Sequence, residues 1–285
     1  MGSGLHFLGA EPFLVRATMI TRNTPKKELG QHWLNDLETL TTICKLADIK
    51  PHDTIVEIGP GQGSLTDLLL KHSGRVIAVE LDSDLIITLL KRFKGHTNLE
   101  LINQDIRHFD FSSLPSGYKT VANIPYYLSS FLIRLLSEAK NPPSLCVLLL
   151  QKEVAERLYA QPGQLSLIGV TAQVFWEVSQ GPVVPASLFI PPPKVDSQII
   201  CLKRRTNPII PRGLTPEFFK ILQISFNQKR KTLENSLSGG LGISKVNARK
   251  IIIKADIDPL KRPQALELKQ WSTLTEAAMP FIPEK

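Results

Sequence analysis

Cysteine is scarce in this sequence, and the few cysteines are not arranged for cross-linking. The 285 residues include three, Cys44, Cys146 and Cys201, which are far apart, odd in number and in two cases set in apolar runs typical of strands. This pattern argues against a disulfide framework and against a C-x-x-C metal pair. The six histidines show no H-x-x-x-H or other ligand spacing. The sequence therefore predicts a reducing compartment, the cytoplasm, and no metal site.

Long hydrophobic runs are also lacking. No apolar run approaches the roughly 20 residues needed to span a bilayer, so we expect no membrane partner. Residues 1–20 lack the charged region and unbroken apolar core of a signal peptide, and His6 argues against N-myristoylation. We expect residues 1–24 to form an extension that is disordered or foreign to the natural protein, with Met19 as a candidate natural start.

Basic residues outnumber acidic ones. The chain has 34 Lys and Arg against 26 Asp and Glu, which gives a formal net charge of +8 and a pI of about 9.4. Such an excess favours a polyanionic partner such as a nucleic acid. The alternative is a generically basic protein, and the overall charge does not decide between the two.

The segment TIVEIGPGQGSL, residues 54–65, is a short β-branched run that ends in three glycines at alternate positions, Gly59, Gly61 and Gly63. A helix-like run, LTDLLLK, follows it. Glycine allows tight turns and close approach of the backbone to a ligand, so the order predicts a strand whose carboxyl end turns beneath a nucleotide-like cofactor. An ordinary tight turn is the alternative.

The spacing of these glycines separates two cofactors. A dinucleotide fingerprint, G-x-G-x-x-G, requires glycine at position 64, where this chain has Ser64. A second apolar run, RVIAVEL, places Glu80 about 20 residues beyond the first glycine, where a carboxylate can accept hydrogen bonds from ribose hydroxyls. An adenosyl ligand without a pyrophosphate fits this pattern, and S-adenosylmethionine fits better than NAD.

From residue 54 onward, short β-branched runs alternate with helical periods of about ten residues. This alternation predicts an α/β fold with a parallel, doubly wound, Rossmann-like sheet. Together with S-adenosylmethionine, the cofactor favoured by the glycine spacing, it suggests a sheet of the class I methyltransferase type. Ligands of such sheets bind at the carboxyl ends of the strands. The candidate site residues are therefore those that follow each run: the glycine loop, Glu80, Asp105 and Asn123.

The rest of the chain changes texture. We expect two more strands, LSLIGVTAQVFWEV and SQIICLKRR, joined by the proline-rich loop PASLFIPPPKVDS, as an antiparallel addition at the sheet edge. After Arg205 the segments PEFFKILQISFNQKRKTLENSL, SKVNARKIIIKA and ALELKQWSTLTEAA are helical in pattern. This predicts a catalytic domain at residues 25–205 and a small all-helical domain at residues 206–285.

The tetrad Asn123-Ile124-Pro125-Tyr126 follows the fourth predicted strand and therefore faces the glycine loop. An exocyclic amine of adenine is a poor nucleophile because its lone pair is delocalised into the ring. If the Asn123 side-chain oxygen and the Ile124 carbonyl each accept one N–H, the lone pair can turn toward a sulfonium methyl. Pro125 stiffens the turn, and Tyr126 offers a face for base stacking. A plain strand-ending turn is the alternative.

Further candidates lie around this tetrad. Phe189 is a candidate for the second face of an aromatic clamp around a flipped-out base, with core packing as an equal alternative. Asp105 is either a plain helix cap or an acceptor for the adenine amino group of the cofactor. Lys194 and the neighbouring cluster Lys203-Arg204-Arg205 are candidates for contact with phosphates.

Taken together, these segments are recognisable. Eight of them, in this order and spacing, resemble the ribosomal RNA adenine N6-dimethyltransferase family and look most like its bacterial 16S branch: KKELGQHWLND, VEIGPGQGSLT, VELD, NQDI, NIPYY, QKEVAERL, FIPPPKVDS and FNQKRKTL. The resemblance covers about residues 25–280. It implies transfer of two methyls to each of two adjacent adenines near the 3′ end of 16S rRNA, within a pre-30S particle.

The same resemblance implies roles for particular residues. The cofactor would be S-adenosylmethionine, with Gly59 and Gly61 on its methionine part, Glu80 on the ribose and Asp105 on the adenine. Asn123, Ile124, Pro125, Tyr126 and Phe189 would hold the target base, and the other cofactor contacts would be Gln31, His32, Leu34, Leu81 and Ile106. The chain departs from the family pattern at Trp33, Tyr127 and Lys229, where Phe, Asn and a second Arg are more usual.

Other functions remain open at this stage. The related 23S rRNA methyltransferases and DNA adenine methyltransferases share the tetrad, and an assembly or transcription factor of the same fold would act mainly by binding. RNA contact is expected to be electrostatic and salt-sensitive, through Lys194, Lys229, Arg230, Lys231 and Arg249, although a solvated helix face explains the same bases. No heptad pattern is present, so we expect a monomer.

Overall fold

The computed structural model describes residues 24–26, 29–228 and 230–282, and the backbone alone of Tyr126. The predicted extension therefore lies outside the described residues except for its last position, and that prediction is not tested here. In the described part of the chain no helix is both long enough and apolar enough to cross a bilayer. All three cysteines are buried free thiols.

Among the described residues, nine strands form two sheets. In chain order they are β1 (Trp33–Leu34), β2 (Thr54–Ile58), β3 (Arg75–Glu80), β4 (Leu99–Asn103), β5 (Lys119–Asn123), β6 (Leu145–Gln151), β7 (Trp176–Val184), β8 (Phe189–Ile190) and β9 (Ser197–Arg204). The large sheet has the order β4-β3-β2-β5-β6-β9-β7, and β1 pairs with β8 in a separate two-stranded sheet. The pairs from β4 across to β6 are parallel, whereas β9 runs antiparallel to both β6 and β7. The predicted Rossmann-like sheet with an antiparallel edge is confirmed.

In the part of the chain that the structure describes, ten α-helices accompany the sheets. They are α1 (Leu37–Leu46), α2 (Ser64–His72), α3 (Ser83–Arg92), α4 (Ser129–Glu138), α5 (Lys152–Leu158), α6 (Leu167–Phe175), α7 (Thr215–Phe226), α8 (Leu233–Leu241), α9 (Lys245–Lys254) and α10 (Leu268–Ala278). Five of them, α1, α3, α6, α8 and α9, begin at a residue whose side chain caps the first turn. The Asp36 side chain accepts a hydrogen bond from Thr39 N at 2.8 Å and caps α1, as predicted, and Asp82 caps α3 in the same way.

One predicted strand is wrong. The run LSLIGVTAQVFWEV forms helix α6 through Phe175, and strand β7 begins only at Trp176. Ser166 caps this helix by accepting from Gly169 N at 3.2 Å. A Cβ at Gly169 would lie 2.3 Å from the Arg157 carbonyl oxygen, so only glycine lets α6 pack against the end of α5. Because α6 is buried on nearly every side, its sequence is mostly apolar and carries no clear helical period to distinguish it from a buried strand.

The C-terminal region is helical, as predicted, but its first segment is divided. α7 ends at Phe226 and α8 begins at Leu233, where the Thr232 side chain caps the new helix. These helices share an apolar cluster with one face of the large sheet. The Phe175 ring of α6 lies 5.9 Å from that of Phe218 and 6.0 Å from that of Phe219, centroid to centroid. The boundary near residue 206 stays a prediction, and the two parts are joined by a continuous core.

Candidate active site

A pocket opens where β2, β3, β4 and β5 end, beneath the segment 29–35. Parallel strands bring their carboxyl ends to one edge of a sheet, so residues far apart in sequence meet there. All ten residues predicted to bind the cofactor line this pocket: Gln31, His32, Leu34, Gly59, Gly61, Glu80, Leu81, Asp105, Ile106 and Asn123. The structure brings them together. Their individual contacts show what each can do.

The glycine loop turns sharply after β2. Gly59 and Gly61 have positive φ angles of 69° and 57°, which residues other than glycine rarely adopt. A Cβ at Gly59 would lie 3.9 Å from the Asn123 carbonyl oxygen, so the loop and the tetrad are immediate neighbours. Gly63, the third glycine, does not line the pocket. Its missing side chain makes room for α3, because a Cβ there would lie 2.7 Å from the Phe93 ring.

Glu80 ends β3 and is buried, with 7% of its surface exposed. One carboxylate oxygen accepts from Asp82 N at 2.9 Å and the other from Gly61 N at 3.2 Å. Burial raises the pKa of this carboxyl, and the two backbone hydrogen bonds oppose that shift. The side chain is thereby fixed in the pocket wall, with the remaining lone pairs of each oxygen available to a ligand hydroxyl.

Asp105 follows β4 and is held by Arg107. One oxygen accepts from Arg107 N at 2.9 Å, and the other accepts from Nε at 2.8 Å and from Nη2 at 2.5 Å. Arg107 lowers the pKa of Asp105, so this carboxylate is an ionised acceptor. Asp105 does cap a short 3-10 turn, as the plain alternative suggested, but it does so facing the pocket. Ile106 beside it is buried and supplies an apolar wall.

The segment that covers the pocket is tied to the sheet by Asp82. Lys26 Nζ donates to Asp82 Oδ1 at 2.7 Å, and Gln31 Nε2 donates to Asp82 Oδ2 at 3.0 Å. Burial pushes the pKa of Asp82 up, but the hydrogen bonds from Lys26 and Gln31 outweigh it and the net shift is downward. Farther along, His32 Nδ1 lies 2.7 Å from the Pro191 carbonyl oxygen, and Leu34 pairs with Phe189 across β1 and β8.

The tetrad begins at the end of β5. Asn123 Nδ2 donates to the His32 carbonyl oxygen at 3.1 Å. Because a carboxamide has its nitrogen and oxygen on opposite sides, this bond turns Oδ1 away from His32 as an acceptor. Ile124 N donates to the Leu149 carbonyl oxygen of β6 at 3.3 Å, and Pro125 O accepts from Leu128 N at 2.9 Å. The turn is thus fixed by backbone bonds, and Ile124 and Pro125 line the pocket with Asn123.

The two predicted stacking residues have different outcomes. The Tyr126 side chain lies outside the described part of the structure, so its role stays a prediction. Phe189 is 2% exposed, does not line the pocket and packs in the second apolar cluster with Leu34 and Leu40. The structure therefore favours the core-packing alternative for Phe189, because stacking on a base would require the ring to leave this cluster.

The predicted RNA-binding bases are scattered. Lys194 is exposed in the loop after β8, and Arg230 and Lys231 are exposed between α7 and α8. Lys229 lies outside the described residues. Arg249 is engaged already, since its Nε donates to Glu234 Oε2 at 2.8 Å. These positions do not contradict the prediction, but a phosphate at Arg249 would compete with a carboxylate.

Sequence reasoning missed two charged residues of the pocket wall, Glu57 and Arg107. Arg107 was overlooked although it stands only two positions after Asp105, within reach of that carboxylate. Glu57 lies in the middle of β2, is 1% exposed, and its Oε2 has no hydrogen-bond partner among the described residues. Burial, and to a lesser degree the charge of Glu80, raises the pKa of Glu57 to about 8. A carboxyl in an otherwise apolar strand was the available signal.

These features suit an adenosyl cofactor with a positively charged centre. The fixed, buried carboxylate of Glu80 can accept hydrogen bonds from hydroxyl groups, and the ionised carboxylate of Asp105 can accept them from an amine. The loop at Gly59 and Gly61 carries no side chains at these positions, so its backbone can approach a ligand closely. The fold and the pocket define a Rossmann-like methyltransferase that uses S-adenosylmethionine.

Comparison with known proteins narrows this class. A model of the family described as ribosomal RNA adenine dimethylase matches residues 22–274. Among curated proteins, "Ribosomal RNA small subunit methyltransferase A" of Dehalococcoides mccartyi strain CBDB1 is 41% identical, with 87% of each chain covered. The protein of the same name from Lactococcus lactis is 37% identical, with 90% of each chain covered. The chain belongs to the ribosomal RNA adenine dimethylase family and is an adenine dimethylase of ribosomal RNA.

Two solved structures share most of the fold. A dimethyladenosine transferase from Plasmodium falciparum is 29% identical with a TM-score of 0.71, covering 88% of this chain and 98% of its own. The 23S rRNA methyltransferase ErmE is 25% identical with a TM-score of 0.65, covering 86% and 98%. Both likenesses extend over the sheet and beyond it, which confirms the predicted fold class.

Proposed function

We propose that this enzyme transfers two methyl groups to N6 of each of two adjacent adenines near the 3′ end of 16S rRNA, acting as a monomer on a pre-30S particle in the cytoplasm. The names of the curated relatives, small-subunit methyltransferases, support the choice of RNA. The observation that carries the proposal is the hydrogen bond of Asn123, a pocket residue whose amide nitrogen is held by the His32 carbonyl at 3.1 Å, which leaves its oxygen as the acceptor for a target amine.

The cofactor is held by residues from four strand ends. Glu80 would accept from the ribose hydroxyls and Asp105 from the adenine amino group, with Leu81 and Ile106 against the ring. Gly59 and Gly61 would border the methionine part, covered by Gln31, His32 and Leu34. When bound, S-adenosylmethionine supplies an electrophilic methyl group on a sulfonium sulphur.

The chain's own contribution is orientation of the target amine. Asn123 Oδ1 and the Ile124 carbonyl each accept one N–H, which draws the nitrogen toward a tetrahedral geometry and directs its lone pair into the pocket. Pro125 keeps the turn that presents these acceptors, and Tyr126 offers a face to the base. The departing proton passes to solvent, so no general base is required.

The likeness to ErmE favours one alternative substrate, 23S rRNA. A protein that acts mainly by binding is a second alternative, and the intact site at Glu80 and Asn123 counts against it. Both alternatives keep the pocket. They differ in which nucleic acid, if any, receives the methyl groups.

The test is methyl transfer from labelled S-adenosylmethionine to small ribosomal subunits that lack the 3′-end dimethyladenosines, with 23S rRNA and adenine-containing DNA in parallel. Digestion should yield labelled N6-dimethyladenosine from the 16S RNA alone. Label in 23S rRNA alone would show that 23S rRNA, and not 16S rRNA, is the substrate. Measurable cofactor binding without incorporation into any of the three would overturn the proposal in favour of a binding protein.

A further inference from the structure

Three cations surround one loop at the base of the large sheet. Arg204, the last residue of β9, donates from Nη1 to the Pro142 carbonyl oxygen at 3.4 Å. Arg212 donates from Nη1 to the Ala139 carbonyl oxygen at 3.4 Å. Lys140 lies between these two carbonyls in the same loop, and all three cations are exposed. We call Lys140, Arg204 and Arg212 the far-edge cluster.

The register of the sheet places this cluster away from the active site. β6 pairs Leu145 with Lys203 at its start and Gln151 with Ser197 at its end. Asn123 of the tetrad lies opposite Leu149, four residues along β6 from Leu145. At about 3.3 Å per residue, Arg204 is more than roughly 13 Å from the tetrad along the strand direction. The cluster is on the edge opposite to the one where Lys194 is found.

The charges of the cluster are not neutralised within the protein. In the part of the chain that the structure describes, Arg204 and Arg212 form no ion pair. The nearby carboxylates are used by other arginines, since Glu138 binds Arg134 at 3.1 Å and Glu177 lies 3.9 Å from Arg205.

The cations of the cluster also affect their surroundings. Both guanidinium groups contact carbonyls of the loop that contains residues 139 and 142. Partial burial, and then the charge of Arg204, lower the pKa of Arg212. Lys140 lies within electrostatic range of Asp110, whose carboxylate is bonded to Ser112. An anion that bridged the guanidinium groups would relieve their repulsion.

We propose that the far-edge cluster binds backbone phosphates of the RNA substrate outside the loop that carries the target adenines. The inference rests on the proposed function for the identity of that RNA. Guanidinium groups bind phosphate oxygens in bidentate fashion, and two of them at one loop suit successive phosphates of an RNA strand. Because the cluster and the pocket lie on opposite edges, we expect a hairpin reduced to the target loop to occupy the pocket without reaching the cluster.

The proposal has a consequence for substrate choice. An intact subunit, or full-length 16S rRNA, offers phosphates to the far-edge cluster while its target loop occupies the pocket. An isolated hairpin with the target adenines can place its loop in the pocket but offers no phosphates to the far-edge cluster. The cluster therefore adds affinity for large RNA and none for the hairpin.

The experiment compares Arg204→Gln/Arg212→Gln with the control Lys91→Gln/Lys94→Gln, which removes the same charge from exposed positions on and after α3. Dissociation constants are measured for small subunits, protein-free 16S rRNA and a target-loop hairpin over a range of salt concentrations. We expect the arginine variant to lose about tenfold in affinity for subunits and rRNA, with the salt slope reduced by about 2. Its affinity for the hairpin should stay within about twofold, and the control should bind all three like the wild type.

Two further variants keep the test decisive. Arg204→Lys/Arg212→Lys retains the charges and should retain most of the affinity. Lys140→Glu tests the cluster without touching the carbonyl contacts, should the glutamine variant melt early. Equal losses for hairpin and subunit, or no loss for either, would overturn the proposal. A loss with subunits but not with protein-free rRNA would also overturn it, because the anion would then be a protein carboxylate.

The outcome is independent of catalysis. If the wild type binds subunits through the cluster but methylates nothing, the proposed function fails while the inference about the surface stands. If methylation is confirmed and the arginine variant binds as tightly as wild type, the proposed function stands and the inference about the far-edge cluster fails.

Discussion

At the scale of single residues, Asn123 has the most specific geometry in the site. Its amide nitrogen is bonded to the His32 carbonyl, so the same side chain connects the covering segment to the tetrad. Because the nitrogen is bonded to His32, the Asn123 oxygen is the atom that remains to accept a hydrogen bond from a ligand.

Asn123→Ala should reduce kcat for methyl transfer by about 10²- to 10³-fold, because one of two acceptors for the target amine is lost. Binding to small subunits should remain within about twofold of wild type. The measurement is single-turnover methylation with a parallel binding assay. Asn98→Ala is a matched control, since its side chain donates to the Leu70 carbonyl away from the site. Loss of binding together with activity would show that Asn123 does not act on the amine alone.

Glu57 makes a prediction about pH. In the unfolded chain this carboxyl ionises near its ordinary pKa of 4.5, whereas burial keeps it protonated up to about 8 in the folded protein. The folded state therefore binds more protons between these values, and its stability falls as pH rises from 4.5 through 8. Glu57→Gln, which resembles the protonated form, should match wild type near pH 4.5 and exceed it by a few kcal/mol above pH 8.

Denaturant unfolding of both proteins without cofactor, from pH 4.5 to 9, checks this expectation. Glu100→Gln serves as the control, because Glu100 is exposed and paired with Arg75 at the surface. A stability difference between Glu57→Gln and wild type that does not change with pH would contradict the raised pKa.

At the scale of elements, the glycine loop serves two purposes that the sequence pattern does not separate. Gly59 and Gly61 line the pocket. Gly63 lets the start of α2 lie against Leu89 of α3 and against Phe93, which follows the last residue of α3. The third glycine of the motif is therefore a packing residue.

Gly63→Ala should destabilise the fold by about 2 to 4 kcal/mol, from a positive φ of 84° and a Cβ 2.7 Å from the Phe93 ring. Gly95→Ala is the matched control, with a φ of 94° but no atom within 4 Å of the added Cβ. It should cost only about 1 kcal/mol, the backbone share. Equal costs in urea unfolding would mean that packing against α3 is not the reason for the glycine.

At the scale of the whole molecule, the C-terminal helices and the sheet are not independent bodies. Phe219 of α7 packs against Phe175 of α6. The guanidinium group of Arg134, on α4, lies 4.7 Å from the centroid of the Phe219 ring. The apolar cluster that joins them is continuous from β2 to α10.

Phe219→Ala should therefore lower the free energy of unfolding by about 3 to 5 kcal/mol while thermal melting stays a single transition. Leu260→Ala, at a side chain that is 74% exposed, should leave stability within about 0.5 kcal/mol. Calorimetry that resolved a separate early transition in Phe219→Ala would show instead that the helical region folds on its own.

The sequence by itself determined the parallel sheet and its strand ends, because parallel strands are apolar on both faces. It also located the candidates Gly59, Gly61, Glu80, Asp105 and Asn123, because ligands collect where such strands end. The other five cofactor candidates came from the resemblance to a known family. The sequence did not identify α6 as a helix, since a segment buried on nearly every side has no clear period to read. It left Phe189 between clamp and core, and only packing against Leu34 and Leu40 favoured the core.

Tertiary structure alone decided the contacts made across the chain. It oriented Asn123 through His32 and assigned Gly63 to α3. It also separated Lys194 from Arg204, which stand only ten positions apart in sequence but lie on opposite edges of the sheet. The physical reason is that the chain crosses the sheet along its strands and returns outside it. Residues distant in sequence then meet at one edge, whereas the two ends of a single strand such as β9 lie on opposite edges.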